Sequence, residues 1–554
     1  MLPRVRWLGL LAVGASAHGQ GLPVWQGVAP NQRLGSVVAA VPDADGDGVE
    51  DLLLASPFLA YAGFQSGAVD LYSGASGAVL LTVGGDAPGD HAGWSAVGLP
   101  DLDGDGRGDF AVGAIDADTG VSGAGRVRVH SGAGGALLFQ WSGNAPFDGL
   151  GGSLAAAGDV DGDGVCDLLL GAWRANGQQG RVEVRSGASG ALIRQHVGNG
   201  PEDRLGHALC GLGDLDGDGF DDYALGATQQ GVGPGYVRVV SGVNGALIHG
   251  LGGATSDESF GAALCSLGDV DGDGVGDLAV GAVFAVVDGD VRGRVDAFSG
   301  ASGARLWSHD GSGVQSQHGF ALAGGRDLDG DGTPDLAVGA IFGGGWRGRV
   351  LHLDGASGVA RGQWVGEGVS DRFGWSLALI EDQDGDGLAD VLVGSPRQDL
   401  NVGDEGVARV LSSASGCDTF RYCTPKVSLA GCEAEIGSTG AFAAPAGLQL
   451  VAREVPHGAV GLFLYAHAPT SLPYGAGTLC VQPPWSRGAA RSAGGDPTAA
   501  CGGRLELALG AGDLAARGWQ AGDLLHAQAW FRDPGHPDGT GAAVSDALGV
   551  LLCP

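Results

Sequence analysis

Seven short aspartate blocks in this chain have the composition and spacing to hold a metal ion. Each follows the pattern D-x-D-G-D-G-x-x-D and sets carboxylates at positions 1, 3, 5 and 9 of a tight loop, with a backbone carbonyl on offer at position 7. The first block supplies Asp43, Asp45, Asp47, Val49 and Asp51. The second supplies Asp101, Asp103, Asp105, Arg107 and Asp109, and the third Asp159, Asp161, Asp163, Val165 and Asp167. Then come Asp214, Asp216, Asp218, Phe220 and Asp222, followed by Asp269, Asp271, Asp273, Val275 and Asp277. The last two are Asp327, Asp329, Asp331, Thr333 and Asp335, and Asp382, Asp384, Asp386, Leu388 and Asp390. Four carboxylates this close repel one another strongly unless a cation sits among them. Oxygen donors in that number suit a hard ion, calcium rather than magnesium. The twelfth position, a bidentate Glu in an EF-hand, is here apolar, as at Leu54, Val112 and Val393. The block therefore reads as a strand–loop–strand site, about seven structural calcium ions in all, with metal-free Asx turns as the alternative.

Other chemistry is poorly represented. Arg107-Gly108-Asp109 spells an adhesion tripeptide, but it lies inside the second block, where Asp109 is a ligand. No G-x-S-x-G elbow, Walker loop or H-E-x-x-H occurs, and most of the thirteen histidines read as surface or turn residues. The acidic pairs are absorbed by the blocks, so a two-carboxylate glycosidase site has no privileged candidate. Cys210 and Cys265, four residues before their blocks, read as small buried hydrophobes, and Cys166 as unpaired.

The elements that must position these loops follow from a repeat. The first Asp of each block recurs at steps of 58, 58, 55, 55, 58 and 55 residues. A Gly stands eight residues before each one, from Gly35 and Gly93 through to Gly319 and Gly374. After each block comes a short apolar run such as Leu52-Leu53-Leu54, then an alternating stretch such as Val127-Arg128-Val129. A Ser-Gly turn and a further apolar run close the unit. Four strands in each of seven units predict an all-β, seven-bladed propeller over 18–416. The seventh unit lacks a fourth strand, and Trp25 falls in register with Trp141 and Trp364, ten residues before an anchor Gly. The N-terminal strand is therefore expected to close blade seven.

The Gly-anchored first strand, the Asp block and the following Gly-Ala or Ser-Pro resemble FG-GAP repeats. Those repeats build the seven-bladed propeller of integrin alpha subunits and occur in many secreted bacterial proteins. The resemblance covers about residues 22–416 and implies calcium binding and extracellular interaction. Phe-Gly itself survives at Phe260-Gly261 and Phe373-Gly374, and the Pro at Pro57 and Pro396.

Composition bounds the rest. A formal charge of −33 excludes a nucleic-acid footprint, which needs a basic face. Gly and Pro are 133 of 554 residues, yet 44% are hydrophobic, too many for a disordered chain. Arg4 and Arg6, an apolar stretch and Ala15-Ser16-Ala17 read as a signal peptide over 1–17, and no later run is long enough for a transmembrane segment. Beyond Gly416, Cys417, Cys423, Cys432, Cys480, Cys501 and Cys553 suggest a disulfide-stapled β domain over 417–554, sandwich-like, with apolar runs at 448–451, 460–465, 505–509, 524–531 and 550–552. Function is expected to be non-enzymatic: a secreted or cell-surface calcium-binding module, with no catalytic residue, that engages an extracellular protein or glycan. Its variable loops at 115–123, 284–290 and 397–405 are the recognition candidates. A secreted polysaccharide- or lipid-acting hydrolase or lyase on the same scaffold is the alternative.

Overall fold

The computed structural model describes residues 22–398 and 403–412, together with the strands between 419 and 551. Blade one shows how sequence becomes sheet. Its inner strand, Val37–Val41, leads into the Asp block, which turns the chain back into Asp51–Ser56. That second strand is buried at all six positions, which explains its unbroken apolar run. Ala68–Tyr72 and Val79–Gly84 complete an antiparallel sheet in chain order, the outermost strand being the most exposed. Five further four-stranded sheets span 92–142, 153–197, 205–252, 260–310 and 318–365. Blade seven is composite. Ser376–Ile380, Asp390–Ser395 and Val407–Leu411 are joined by the N-terminal strand Val24–Gln26, which pairs antiparallel to Val407–Leu411.

The hydrophobic core lies between blades. Each of seven apolar clusters joins two consecutive sheets, and one packs Trp25, Leu34, Leu52 and Tyr72 with Leu392 and Val410 across the seam of the ring. Main-chain bridges stitch the same seams. The residue before each anchor Gly bridges to a Gly of the preceding blade, from Gly67–Ala92 round to Leu34–Gly406. Close backbone approach explains the glycines themselves. A Cβ on Gly226 would lie 2.4 Å from the carbonyl oxygen of Gly261 in the next blade. Trp25, Trp141 and Trp364 occupy the same register, opposite Ala408, Val127 and Val350.

The second compact unit begins at Ser415. Its strands form a main sheet that includes Thr419–Tyr422, Ala542–Leu551, Leu524–Arg532 and Val460–Ala466, and a second sheet containing Glu435–Thr439, Leu448–Val455 and Gly503–Leu509. Cys480 lies on the strand Gly477–Val481; the other five C-terminal cysteines and the proposed signal peptide fall outside the described residues. Among the described residues no helix is long and apolar enough to cross a membrane.

Candidate metal centres and the opposite face

All seven Asp blocks fold alike. The first carboxylate accepts the N–H groups of positions 4 and 6, as Asp101 does from Gly104 and Gly106, both at 2.7 Å. Both glycines have φ near +80°, which sets the amides facing inward. The ninth carboxylate plays a different part. Asp109 is fully buried, accepts the N–H of Leu102 at 2.8 Å and clasps the loop to the Ser-Gly turn through the N–H of Gly132 at 3.1 Å. The Asp at position 5 accepts the N–H of position 7, as Asp105 does from Arg107 at 2.9 Å.

These folds bring carboxylates together. Donor atoms of Asp43, Asp45 and Asp51 lie within 4.8 Å of one another, as do those of Asp101, Asp103 and Asp109, and of Asp159, Asp161 and Asp167. In the fourth loop Asp214, Asp216 and Asp218 converge in the same way. In the sixth, Asp329 and Asp335 are joined by an imidazole, that of His352. Burial pushes Asp109 and Asp167 up to about 6, and raises Asp51, Asp222 and Asp277, despite the amide donors that oppose it. By contrast the amide of Gly387, above all, holds the exposed Asp382 below the usual carboxylate range. Buried carboxylates crowded by neighbouring ones need a counter-charge, and an oxygen-liganded divalent cation fits this donor set. The adhesion tripeptide is unavailable in this setting: Asp109 is buried, and the guanidinium of Arg107 lies against Gly46 of the first loop.

The other end of the sheets is chemically different. The connections leaving the second strands and those entering the inner strands meet there, and they carry stacked arginines and aromatic rings. Arg33 lies 4.4 Å from the Phe58 ring centre, Arg174 4.9 Å from Trp173, and Arg372 4.8 Å from Phe342 and 5.3 Å from Trp375. Arg372 and Arg33 are lowered, by burial first and then by the neighbouring Arg397, so three cations gather at the seam of the ring. Four aromatic side chains project from this end: Phe64 is 73% exposed, Phe147 65%, Tyr61 55% and Trp346 50%. Of the expected recognition loops, 284–290 carries a two-residue hairpin, Val286–Val287 with Asp290–Val291, and 115–123 holds Asp116, whose carboxylate pairs with Arg174 at 2.6 Å and His91 at 3.0 Å. Residues 399–402 of the third lie outside the described residues.

Three histidines stand apart from the surface and turn positions expected of most of them. His130, His318 and His352 are buried, not surface or turn residues. Aligning the seven units with one another would have found the last two: His318 occupies the slot of Phe260 and Phe373, and His352 that of Val129, Val184 and Val239. Cys210 is buried and Cys265 only partly so; both are free thiols, as is Cys166.

Residues 318–353 and 373–411 match the FG-GAP repeat family. Integrin alpha-PS2 of Drosophila melanogaster is 35% identical over 207 residues, covering 33% of this chain and 14% of that protein. Integrin alpha-5 of Xenopus laevis is 33% identical over 210 residues, 34% of this chain and 20% of that one. Integrin alpha-V of Gallus gallus is 30% identical over 207 residues, with the same coverage of 34% and 20%. The chain thus spans a fifth or less of the length of these curated relatives.

Proposed function

Because the chain is an FG-GAP repeat protein folded as a seven-bladed propeller and similar to integrin alpha subunits over a third of its length, we propose that it is a calcium-loaded extracellular binding module without catalytic activity. The ions would be held by carboxylates of positions 1, 3, 5 and 9 with the position-7 carbonyl, about one per blade. Bound there, calcium supplies charge neutralisation and rigidity to the hairpin joining each inner strand to the second. The ninth Asp already ties that hairpin to the Ser-Gly turn, so the metal completes a clasp. The calcium end is scaffold; the partner, an extracellular protein or a glycan, docks on the other end.

One observation carries this reading: the four exposed aromatic rings and the stacked arginines share that end. Exposed aromatics beside desolvated arginines are the composition of binding hot spots, and arginine–aromatic stacks also suit sugar rings and carboxylates. Arrays of extracellular proteins and glycans, probed with the full chain in calcium and again in chelator, test the proposal. A specific signal in calcium that Phe64→Ala and Phe147→Ala weaken is the expected result. Signals indifferent to these substitutions would remove the docking assignment.

A further inference from the structure

Loop six departs from its six companions in three places at once, and the departures surround one spot. His352 stands where the other third strands carry Leu71, Val129, Val184, Val239, Ala297 and Val410. Asp354 replaces the serine of the Ser-Gly turn, and Arg361 replaces an apolar residue such as Leu138 or Ile193. His352 is 2% exposed. Its Nε2 faces Asp335 Oδ2 at 3.1 Å, yet makes no hydrogen bond. Both Asp335 oxygens are already taken by amides, Oδ2 by Leu328 at 2.9 Å and Oδ1 by Gly355 at 3.1 Å. The contact lacks hydrogen-bond geometry and leaves the imidazole nitrogen unsatisfied, and a cation shared with the carboxylate would satisfy it. Asp329 supplies a third donor within 4.8 Å.

The donor set also says which cation. Calcium takes oxygen ligands; an imidazole nitrogen with two carboxylates is a set for zinc and neighbouring transition ions. Arg361 is anchored on Asp354 and lies 3.5 Å from Asp329 and 3.9 Å from Asp331, so it offsets negative charge on the outer side of this loop. Asp354 and Arg361 add one charge of each sign and leave the net charge of the loop unchanged, so the choice of ion rests on the nitrogen donor, which favours the softer one. We propose that the sixth loop binds a transition-metal ion of the zinc class through His352, Asp335 and Asp329, while the other loops take calcium. The proposal rests on reading the Asp loops as cation sites.

The full chain, loaded with calcium, would be titrated with Co²⁺ as a coloured probe and then with Zn²⁺. The expected result is one equivalent of Co²⁺ per chain, with visible absorption of a nitrogen-liganded site, displaced by zinc and not by calcium. His352→Val puts into the slot the residue other blades carry there, and should weaken Co²⁺ binding by about 100-fold or more with calcium uptake at the remaining loops unchanged. Wild type that takes up calcium but neither Co²⁺ nor Zn²⁺ would overturn the proposal and leave the calcium reading standing. Equal Co²⁺ binding by wild type and His352→Val would overturn it too. Failure to bind calcium as well as the transition ions would bring down the reading of the loops as a whole.

Discussion

A buried imidazole is costly wherever it lacks partners, and His318 lacks them on both nitrogens. It is fully buried beside His309, in a slot that two other blades fill with Phe. Burial drives it well below its ordinary value, and the same cause takes His196 down to about 4. The consequence for pH has a definite sign. Between about 6.5 and 4 the unfolded chain takes up protons that these buried rings refuse, so stability falls as pH drops through that window and is untouched above it. His318→Phe should therefore stabilise the protein by about 1 kcal/mol at neutral pH, with the gain widening toward pH 5. Paired denaturant melts of variant and wild type isolate the imidazole, because calcium release is common to both. A gain that stayed constant with pH would mean that the ring is not buried neutral. Neither His318 nor His352 was legible from local sequence, since each sits in an ordinary strand pattern; only its slot in the repeat betrays it.

Within a blade, the Asp loop joins two functions that mutation should separate. Asp163 is exposed and its carboxylate accepts the N–H of Val165, whereas Asp167 is fully buried and accepts from Val160 at 2.9 Å and Gly187 at 3.0 Å. Asp163→Ala should remove only the calcium increment, roughly 2.7 kcal/mol if the ion stands a hundredfold over its dissociation constant. In chelator it should melt like wild type. Asp167→Ala leaves two backbone amides without acceptors and also removes a calcium ligand, so it should cost about 3 kcal/mol even in chelator and more in calcium. Equal behaviour of the two variants in chelator would deny the ninth Asp its clasping role. The loops and the strands flanking them were readable because their signals are local: fixed Asp and Gly positions, an unbroken apolar run, a period-2 stretch. The opposite face was not readable in this way. Phe58, Trp173, Phe342 and their arginines come from connections of different length in different blades, and only closure of the ring brings Arg33 beside Arg397 and Arg372.

At the scale of the whole propeller, stability depends on joining its ends. A ring of sheets that pack only on their neighbours has seven seams; the chain crosses each of them, and the break in the ring lies inside blade seven, between Val407–Leu411 and the N-terminal strand Val24–Gln26. Three features hold it: the pairing of Val24–Gln26 with Val407–Leu411, the Leu34–Gly406 bridge, and the cluster in which Trp25 packs 5.5 Å from the Tyr72 ring of blade one. Backbone contact is so close there that a Cβ on Gly394 would sit 2.0 Å from the carbonyl oxygen of Gly35. Trp25→Ala removes a buried indole from the seam and should cost about 3 kcal/mol, while Gly394→Ala should open the seam by steric conflict alone. Deleting residues 18–29 does more, because it also strips the outer partner from Val407–Leu411 and leaves an unpaired strand edge. Hydrogen exchange in the deletion should then accelerate first in blades one and seven and, as packing between neighbours is lost in sequence, spread round the ring with a lowered and broadened melt. Acceleration confined to Val407–Leu411, with the melt unchanged, would mean that each blade is held by its neighbours alone and that closure contributes nothing to the rest.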